Sequence, residues 1–230
     1  MRDRSSSARR GAAYSVDVVL VTPLDRHLAL LLVRAPEGGL DRWTLPWSLP
    51  HPSDSTLEDT AARVARRVVP SSPAWLEQTG AFADGRRHPG EVDLSVAFVG
   101  AVPVGTLSAS GEDAAWFPVS ELQPLAPRQR AIAVAALDSL RVRLDYAPVA
   151  FRMLPPTFTL SDLQRVYEIL LGHRLHKASF RRALHGSSLV EATDEWRSEG
   201  RGRPAQLFRH PPKRRRPGAR NRTVRFDLLP

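Results

Sequence analysis

Two apolar runs open the patterned part of the chain. YSVDVVLVTP (14–23) is β-branched and closes at a proline, which predicts a strand. HLALLLVRAP (27–36) is apolar at successive positions and predicts a second strand buried on both faces, joined to the first through Leu24-Asp25-Arg26. Residues 36–55 are rich in Pro, Gly and Ser and predict a long loop with a short strand near Trp43-Thr44-Leu45. Helical spacing appears in LEDTAARVARRVVP (57–70): Leu57, Ala61, Val64 and Val68 share one face, and Pro70 stops the helix. Strands are predicted at 75–84 and 92–103, on either side of the loop GRRHPGE (85–91). Residues 114–122 predict a short strand passing into a loop or a single helical turn. Residues 127–146 predict a long helix, because Ile132, Ala136, Leu140 and Leu144 recur every four positions.

The order β-β-loop-α-β-β-β-α lacks a regular βαβ alternation, so it predicts an α+β fold with helices on a mixed sheet. A proline-marked junction at 147–156 predicts a domain boundary. Beyond it lie two helices, 159–172 with Thr159 or Ser161 near its N-cap and Gly172 at its end, and 176–186 ending at Gly186. Two strand-like runs in 188–210 flank a Gly/Arg-rich tip. The chain therefore divides into a basic flexible arm (1–13), a first domain (14–150), a second domain (151–210) and a basic tail (211–230). Residues 211–222 read as disordered, and 223–229 as a late strand or simply tail.

Composition narrows the function. Apolar residues make up 42% of 230, too many for a disordered chain. No apolar run reaches membrane-spanning length, and the basic N-terminus leads into no signal-like core. Absence of cysteine excludes a disulfide scaffold, a thiolate zinc site and a cysteine nucleophile. The seven histidines show no metal-ligand spacing. Charge divides the chain sharply. Residues 1–150 carry 16 basic and 17 acidic side chains, whereas 151–230 carry 17 basic and 7 acidic. The basic excess belongs to the second domain and tail, which points to a polyanionic partner.

Two helices on a short turn followed by a hairpin describe a winged helix. Helix 176–186 is the candidate for the major groove, with Lys177, Ser179, Arg181 and Arg182 toward DNA and Phe180, Ala183 and Leu184 as anchors. Arg201 and Arg203 on the glycine-rich tip are candidates for phosphate or minor-groove contacts. The plainer reading is an amphipathic helix beside a flexible tail. Lys213–Arg216 predicts nonspecific phosphate contact or a solvated run.

The first domain contains LPWSLPHPSDSTLEDTAARVARRVVP (45–70), which resembles a Nudix box. Leu45, Pro46, Leu57, Glu58, Asp59, Ala61 and Arg63 match that pattern. Trp47 and Ser48 replace its glycine pair, the helix glutamates fall on Val64, Arg67 and Val68, and the closing glycine on Pro70. Magnesium needs hard oxygen ligands, so no metal and no pyrophosphatase chemistry are expected. Glu58 and Asp54 remain, but two carboxylates at a helix start serve more often as caps or dipole partners. Rebuilding of the site by Glu91 or Asp93 is the alternative.

The junction MLPPTFTLSDLQRVYE (153–168) and Phe180-Arg181-Arg182, in order with the box, are similar to the Nudix-related regulators of NAD metabolism in bacteria, the NrtR family. The resemblance runs from about residue 14 to 210. It implies a Nudix-like α/β/α sandwich with a mixed sheet, followed by a winged helix-turn-helix domain. It also implies a cytoplasmic, nucleoid-associated homodimeric repressor on a palindromic double-stranded DNA operator. ADP-ribose or an NAD-related nucleotide would act as effector rather than cofactor. The family's Arg-Asp-Pro-Arg loop falls on Arg87, His88, Pro89 and Gly90, so Arg87, Arg86 and Arg66 become ligand candidates. Trp47 either fills that pocket or stacks on a base. Two alternatives stay open: a hydrolase with a non-standard site, and a constitutive DNA-binding protein that uses the first domain only to dimerise.

Overall fold

The computed structural model describes residues 13–35, 42–105, 113–144, 148–187, 189–198 and 204–211. The basic arm, the tip with Arg201 and Arg203, and the tail with Lys213–Arg216 lie outside the described residues.

A seven-stranded mixed sheet forms the first layer system. Its main path is β3 (Trp43–Thr44), β2 (His27–Arg34), β1 (Tyr14–Leu24), β6 (Leu94–Ala101) and β5 (Trp75–Phe82). β4 (Trp47–Ser48) pairs with β1, and β7 (Ala114–Pro118) pairs with β2. β1 and β6 run parallel, and the other pairings are antiparallel. Alternation along the strands assigns the faces. Val16, Val18 and Leu20 of β1, with Val96 and Phe98 of β6, pack on α1 (Leu57–Arg66) through Ala61, Val64 and Ala65. Val19 and Val21, with Ala97 and Val99, pack on α2 (Pro127–Arg143) through Ile132, Ala136 and Leu140. Both faces are covered, which is why these strands read as continuous apolar runs.

The second unit contains α3 (Val149–Arg152), β8 (Thr157–Phe158), α4 (Leu160–Leu171), α5 (Lys177–Ser187), β9 (Glu191–Arg197) and β10 (Ala205–Arg209). β8, β10 and β9 form a three-stranded antiparallel sheet. This is the helix–turn–helix and wing that the pattern predicts, and the α+β mixed-sheet expectation holds.

Several expected bounds are corrected. The helix predicted over 57–70 ends at Arg66, because its last turn tightens: Val68 N–H donates to Ala65 O at 3.0 Å as Val69 enters the core. A residue before proline avoids the helical region, so unwinding begins ahead of Pro70. β5 and β6 are shorter than predicted, and α5 runs past Gly186 to Ser187, whose hydroxyl donates to Leu184 O at 2.8 Å. The 147–156 junction is not an open linker. It contains α3, and Val149, Ala150, Phe151 and Met153 are buried in the same apolar cluster as Val19, Leu30 and Ile132.

Candidate nucleic-acid interface and ligand loop

α4 begins at a reciprocal cap. Thr159 Oγ1 accepts from Asp162 N–H at 3.1 Å, and the Asp162 carboxylate accepts from Thr159 N–H at 3.0 Å. It ends at Gly172, whose φ of 78° is left-handed. The following turn is braced by Glu168, which accepts from Leu175 N–H at 2.9 Å, and by Gln164, which donates to Leu175 O at 3.0 Å. These bonds fix the angle at which α5 leaves. Phe180 and Leu184, four residues apart, are buried, and the Phe180 ring meets Tyr167 edge-on at 5.6 Å. With that stripe inward, Arg181, Arg182 and Ser179 are exposed away from it; Lys177, three before Phe180, lies on the stripe's own face and is exposed as the first residue of the helix. Ser179 Oγ lies 3.2 Å from His176 Nδ1. His185 shares the outward face at i+3 and i+4 from the two arginines. The sequence reading passed over it, although its spacing would have flagged it.

The wing is tied to α4 by Arg197, which donates to the Asp162 carboxylate at 2.7 Å. Burial pushes the Asp162 carboxyl up, but the Thr159 hydrogen bonds and Arg197 outweigh it and hold the group below its ordinary value. Trp196 on β9 is 56% exposed, a large aromatic on the wing that the sequence reading did not single out.

In the first unit two of the three carboxylates of the broken box, Asp54 and Asp59, are committed to structure. Asp54 accepts from Arg63 Nη2 at 2.6 Å, from Thr60 Oγ1 at 2.9 Å and from His51 N–H at 2.9 Å. The Arg63 hydrogen bond is the main cause holding the Asp54 carboxyl well below the usual carboxylate range. Arg63 also donates to Ser48 Oγ and Leu49 O, so the pair pins residues 48–54 to α1. Asp59 closes a capping box with Thr56, and Glu58 is exposed. Val64 is 2% exposed inside the core, Val68 is half-buried and Arg67 is exposed. Apolar and cationic side chains at these positions do not fit magnesium. Among the described residues no group of three or more His, Asp or Glu side chains is arranged to hold a metal ion.

Loop 84–91, which carries the candidate ligand residues Arg86 and Arg87, is anchored by a buried polar network. His88 Nε2 lies 3.0 Å from Asp17 Oδ1, and both side chains have no exposure. Gly90 N–H donates to His88 Nδ1 at 3.0 Å. That assigns the ring hydrogen to Nε2, which therefore donates to Asp17. Gln129 Nε2 also donates to Asp17 Oδ1 at 2.8 Å, and Ser15 Oγ donates to Oδ2 at 2.6 Å. Gln129 Oε1 in turn accepts from Thr44 Oγ1 at 2.6 Å and Leu45 N–H at 3.0 Å. The network joins β1, β3, α2 and loop 84–91. Trp47 meets His88 edge-on at 4.9 Å, and a Cβ on Gly90 would lie 2.3 Å from the Trp47 ring. Trp47 therefore fills the space above Gly90. Arg86 and Arg87 are exposed on this loop, with Arg86 3.5 Å from Asp84 and the Arg87 carbonyl accepting from Arg128 N–H at 3.2 Å. Arg66 is exposed near the end of α1, and among the described residues no hydrogen bond or ion pair joins it to the loop.

Residues 150–210 match the model of the NrtR DNA-binding winged helix domain. The chain is 28% identical over 202 residues to the ADPR responsive transcriptional repressor NtrR of Acinetobacter baylyi, covering 85% of this chain and 80% of that protein. The structure of Shewanella oneidensis NrtR complexed with a 27mer DNA superposes with a TM-score of 0.76 at 28% identity, over 86% of this chain and 93% of that one. A MutT/nudix family protein from Enterococcus faecalis shares the fold, with a TM-score of 0.67 at 16% identity over 87% of each chain. This chain is NrtR-like, a Nudix-like domain joined to a C-terminal NrtR winged helix.

Proposed function

We propose that the chain is a DNA-binding transcriptional repressor whose Nudix-like domain senses a nucleotide such as ADP-ribose or an NAD-related metabolite. The observation that carries the reading is α5. It presents Arg181, Arg182 and His185 outward on a helix fixed from behind by Phe180 and Leu184, within a segment matched to a DNA-binding family. Arginine is suited to bidentate contact with guanine edges and phosphates. The relatives of known name support both halves: one is an ADPR responsive repressor and another was solved on DNA. The protein acts in the bacterial cytoplasm as a homodimer on a palindromic operator, with recognition helices about 34 Å apart in successive major grooves. It does not hydrolyse nucleotides, a reading supported by Val64, Arg67 and Val68 at the ligand positions of the box.

A constitutive regulator is the second reading, favoured by Trp47 filling the space over Gly90. Fluorescence anisotropy with DNA from the protein's own upstream region, against random DNA and with or without ADP-ribose and NAD, separates the two. Specific binding weakened by a nucleotide supports the sensor. Specific binding indifferent to both leaves the constitutive reading. Metal-dependent release of a nucleoside monophosphate from ADP-ribose, lost on Glu58→Gln, would return the chain to the hydrolases.

A further inference from the structure

A cleft of about 990 Å³ opens between the two domains, far from the ligand loop. Its walls come from the β1–β2 turn, the 119–120 segment, the end of α2, and α4 with the turn before α5. Four arginines line it, Arg26 and Arg141 from the first domain and Arg165 and Arg174 from the second. Arg141 is paired with Asp138 at 3.0 Å. Arg26, Arg165 and Arg174 are exposed, and their side chains have no hydrogen-bond or ion-pair partner among the described residues. Two carboxylates share the wall: Glu168, which accepts from Leu175 N–H and Gln164 Nε2, and Asp25, in the left-handed corner of the β1–β2 turn at φ 52°. Neither is paired with a cleft arginine among the described residues, and the arginines outnumber them, so the lining stays net positive.

Unpaired like charges gathered in one concavity repel each other and gain from a shared anion. The volume is that of a small-molecule pocket, which typically encloses about 300–1,000 Å³. A duplex presents a convex rod of phosphates, whereas this cleft presents guanidinium groups from opposing walls. The ligand loop meets α2 at Arg128 and the cleft meets it at Arg141. At 1.5 Å per residue the two places are about 20 Å apart along the helix.

We propose that this cleft is a second anion site, distinct from the Nudix-like pocket, and that it takes a small polyphosphate: the chain of a nucleoside triphosphate or a free inorganic one. An occupant touches both domains, and the turn that carries Arg174 leads directly into α5. The inference does not rest on the DNA-binding reading, because its test contains no operator.

The experiment titrates the full chain with inorganic tripolyphosphate by calorimetry at fixed ionic strength, and in a parallel arm with adenosine triphosphate. The variants are Arg26→Gln, Arg165→Gln, Arg174→Gln and the triple. Arg67→Gln, exposed on the opposite side of the sheet, is the control. The expected result is one saturable site per chain, weakened about tenfold by each cleft substitution, lost in the triple and unchanged in the control. Equal affinity in both arms identifies the phosphate chain as the recognised group, and tighter binding of the nucleotide adds a base contact. The proposal is overturned by absent binding, by binding that survives the triple substitution, or by equal loss in Arg67→Gln. Circular dichroism of each variant confirms folding.

Discussion

The sharpest test of how loop 84–91 is anchored is His88→Ala against Asp17→Asn. The His88 side chain is fully buried and donates to a carboxylate that has no exposure of its own. Alanine removes a hydrogen bond to a charged acceptor, about 1.5–3 kcal/mol. It also removes the edge contact with Trp47, about 0.5–1.5 kcal/mol. The Gly90 N–H loses its acceptor, and a water entering the hole restores part of the loss. The balance is about 2–4 kcal/mol. Asn at 17 keeps the shape. Its oxygen still accepts from His88 and Gln129, and its amide donates to Ser15 Oγ, whose hydroxyl turns to Ser95 Oγ at 3.0 Å. Every partner stays satisfied, so the expected cost is about 1 kcal/mol or less. Guanidinium denaturation of the full chain, followed by far-UV circular dichroism, gives both values. A His88→Ala loss below about 1 kcal/mol would show that the loop is not held through this ring. An Asp17→Asn loss equal to or larger than that of His88→Ala would show that the network needs the charge itself.

Gly90→Ala must displace the Trp47 ring, so it costs about 1–3 kcal/mol in the parent and close to nothing after Trp47→Ala; additive losses in the double-mutant cycle would contradict the packing. Arg181→Ala or Arg182→Ala should each cost about 1–3 kcal/mol on the operator and relax its sequence preference, read by anisotropy; an equal loss on every sequence would assign them to phosphates. The depressed Asp54 carboxyl stabilises the fold above the unfolded carboxylate value, and this contribution is lost as pH falls toward its lower folded value. The stability gap between parent and Arg63→Ala should therefore hold above about pH 4 and shrink below it; a pH-independent gap in denaturation midpoints would deny the ion pair its role.

Most of the architecture was legible because patterning and topology agree. The apolar runs at 14–23 and 27–36 are strands covered on both faces, and Thr159 with Gly172 brackets α4 as capping chemistry predicts. Residues with long-range partners were harder to read. Asp17 interrupts the run YSVDVVLV, and a charge inside a strand buried on both faces demands partners. That signal identifies a polar network without identifying its members, since Gln129 lies 112 residues away. Asp54 and Arg63 sit nine apart, one ahead of the α1 cap and the other inside the helix, so no local spacing announces the pair. Short elements such as β4, α3 and β8 are set by tertiary pairing rather than local propensity, and the proline-rich sequence around α3 read as a break. The arginine cleft draws on four elements and has no sequence signature.

The shared core bears on how the two units behave. Phe180 of α5 meets Tyr167, Tyr167 meets Phe151, and Phe151 belongs to the cluster that holds Val19 and Ile132 under the sheet. Hydrogen bonds cross the same seam: Arg152 donates to Ala74 O at 2.9 Å, and Val104 N–H donates to Met153 O at 2.9 Å. A winged helix of some 60 residues is marginal on its own core. Continuity with the sandwich therefore predicts one cooperative unfolding transition, with calorimetric and van't Hoff enthalpies equal. Phe151→Ala removes a ring that also stacks on His210 at 4.4 Å, at a cost of about 3–5 kcal/mol. Because the lost contacts lie between the units, the variant should unfold in two steps, the winged helix first, with a calorimetric enthalpy above the van't Hoff value. Two transitions in the parent protein would mean that the seam is mere contact between independently folding domains. A single transition that survives Phe151→Ala would place the coupling in the crossing hydrogen bonds instead of the aromatic chain.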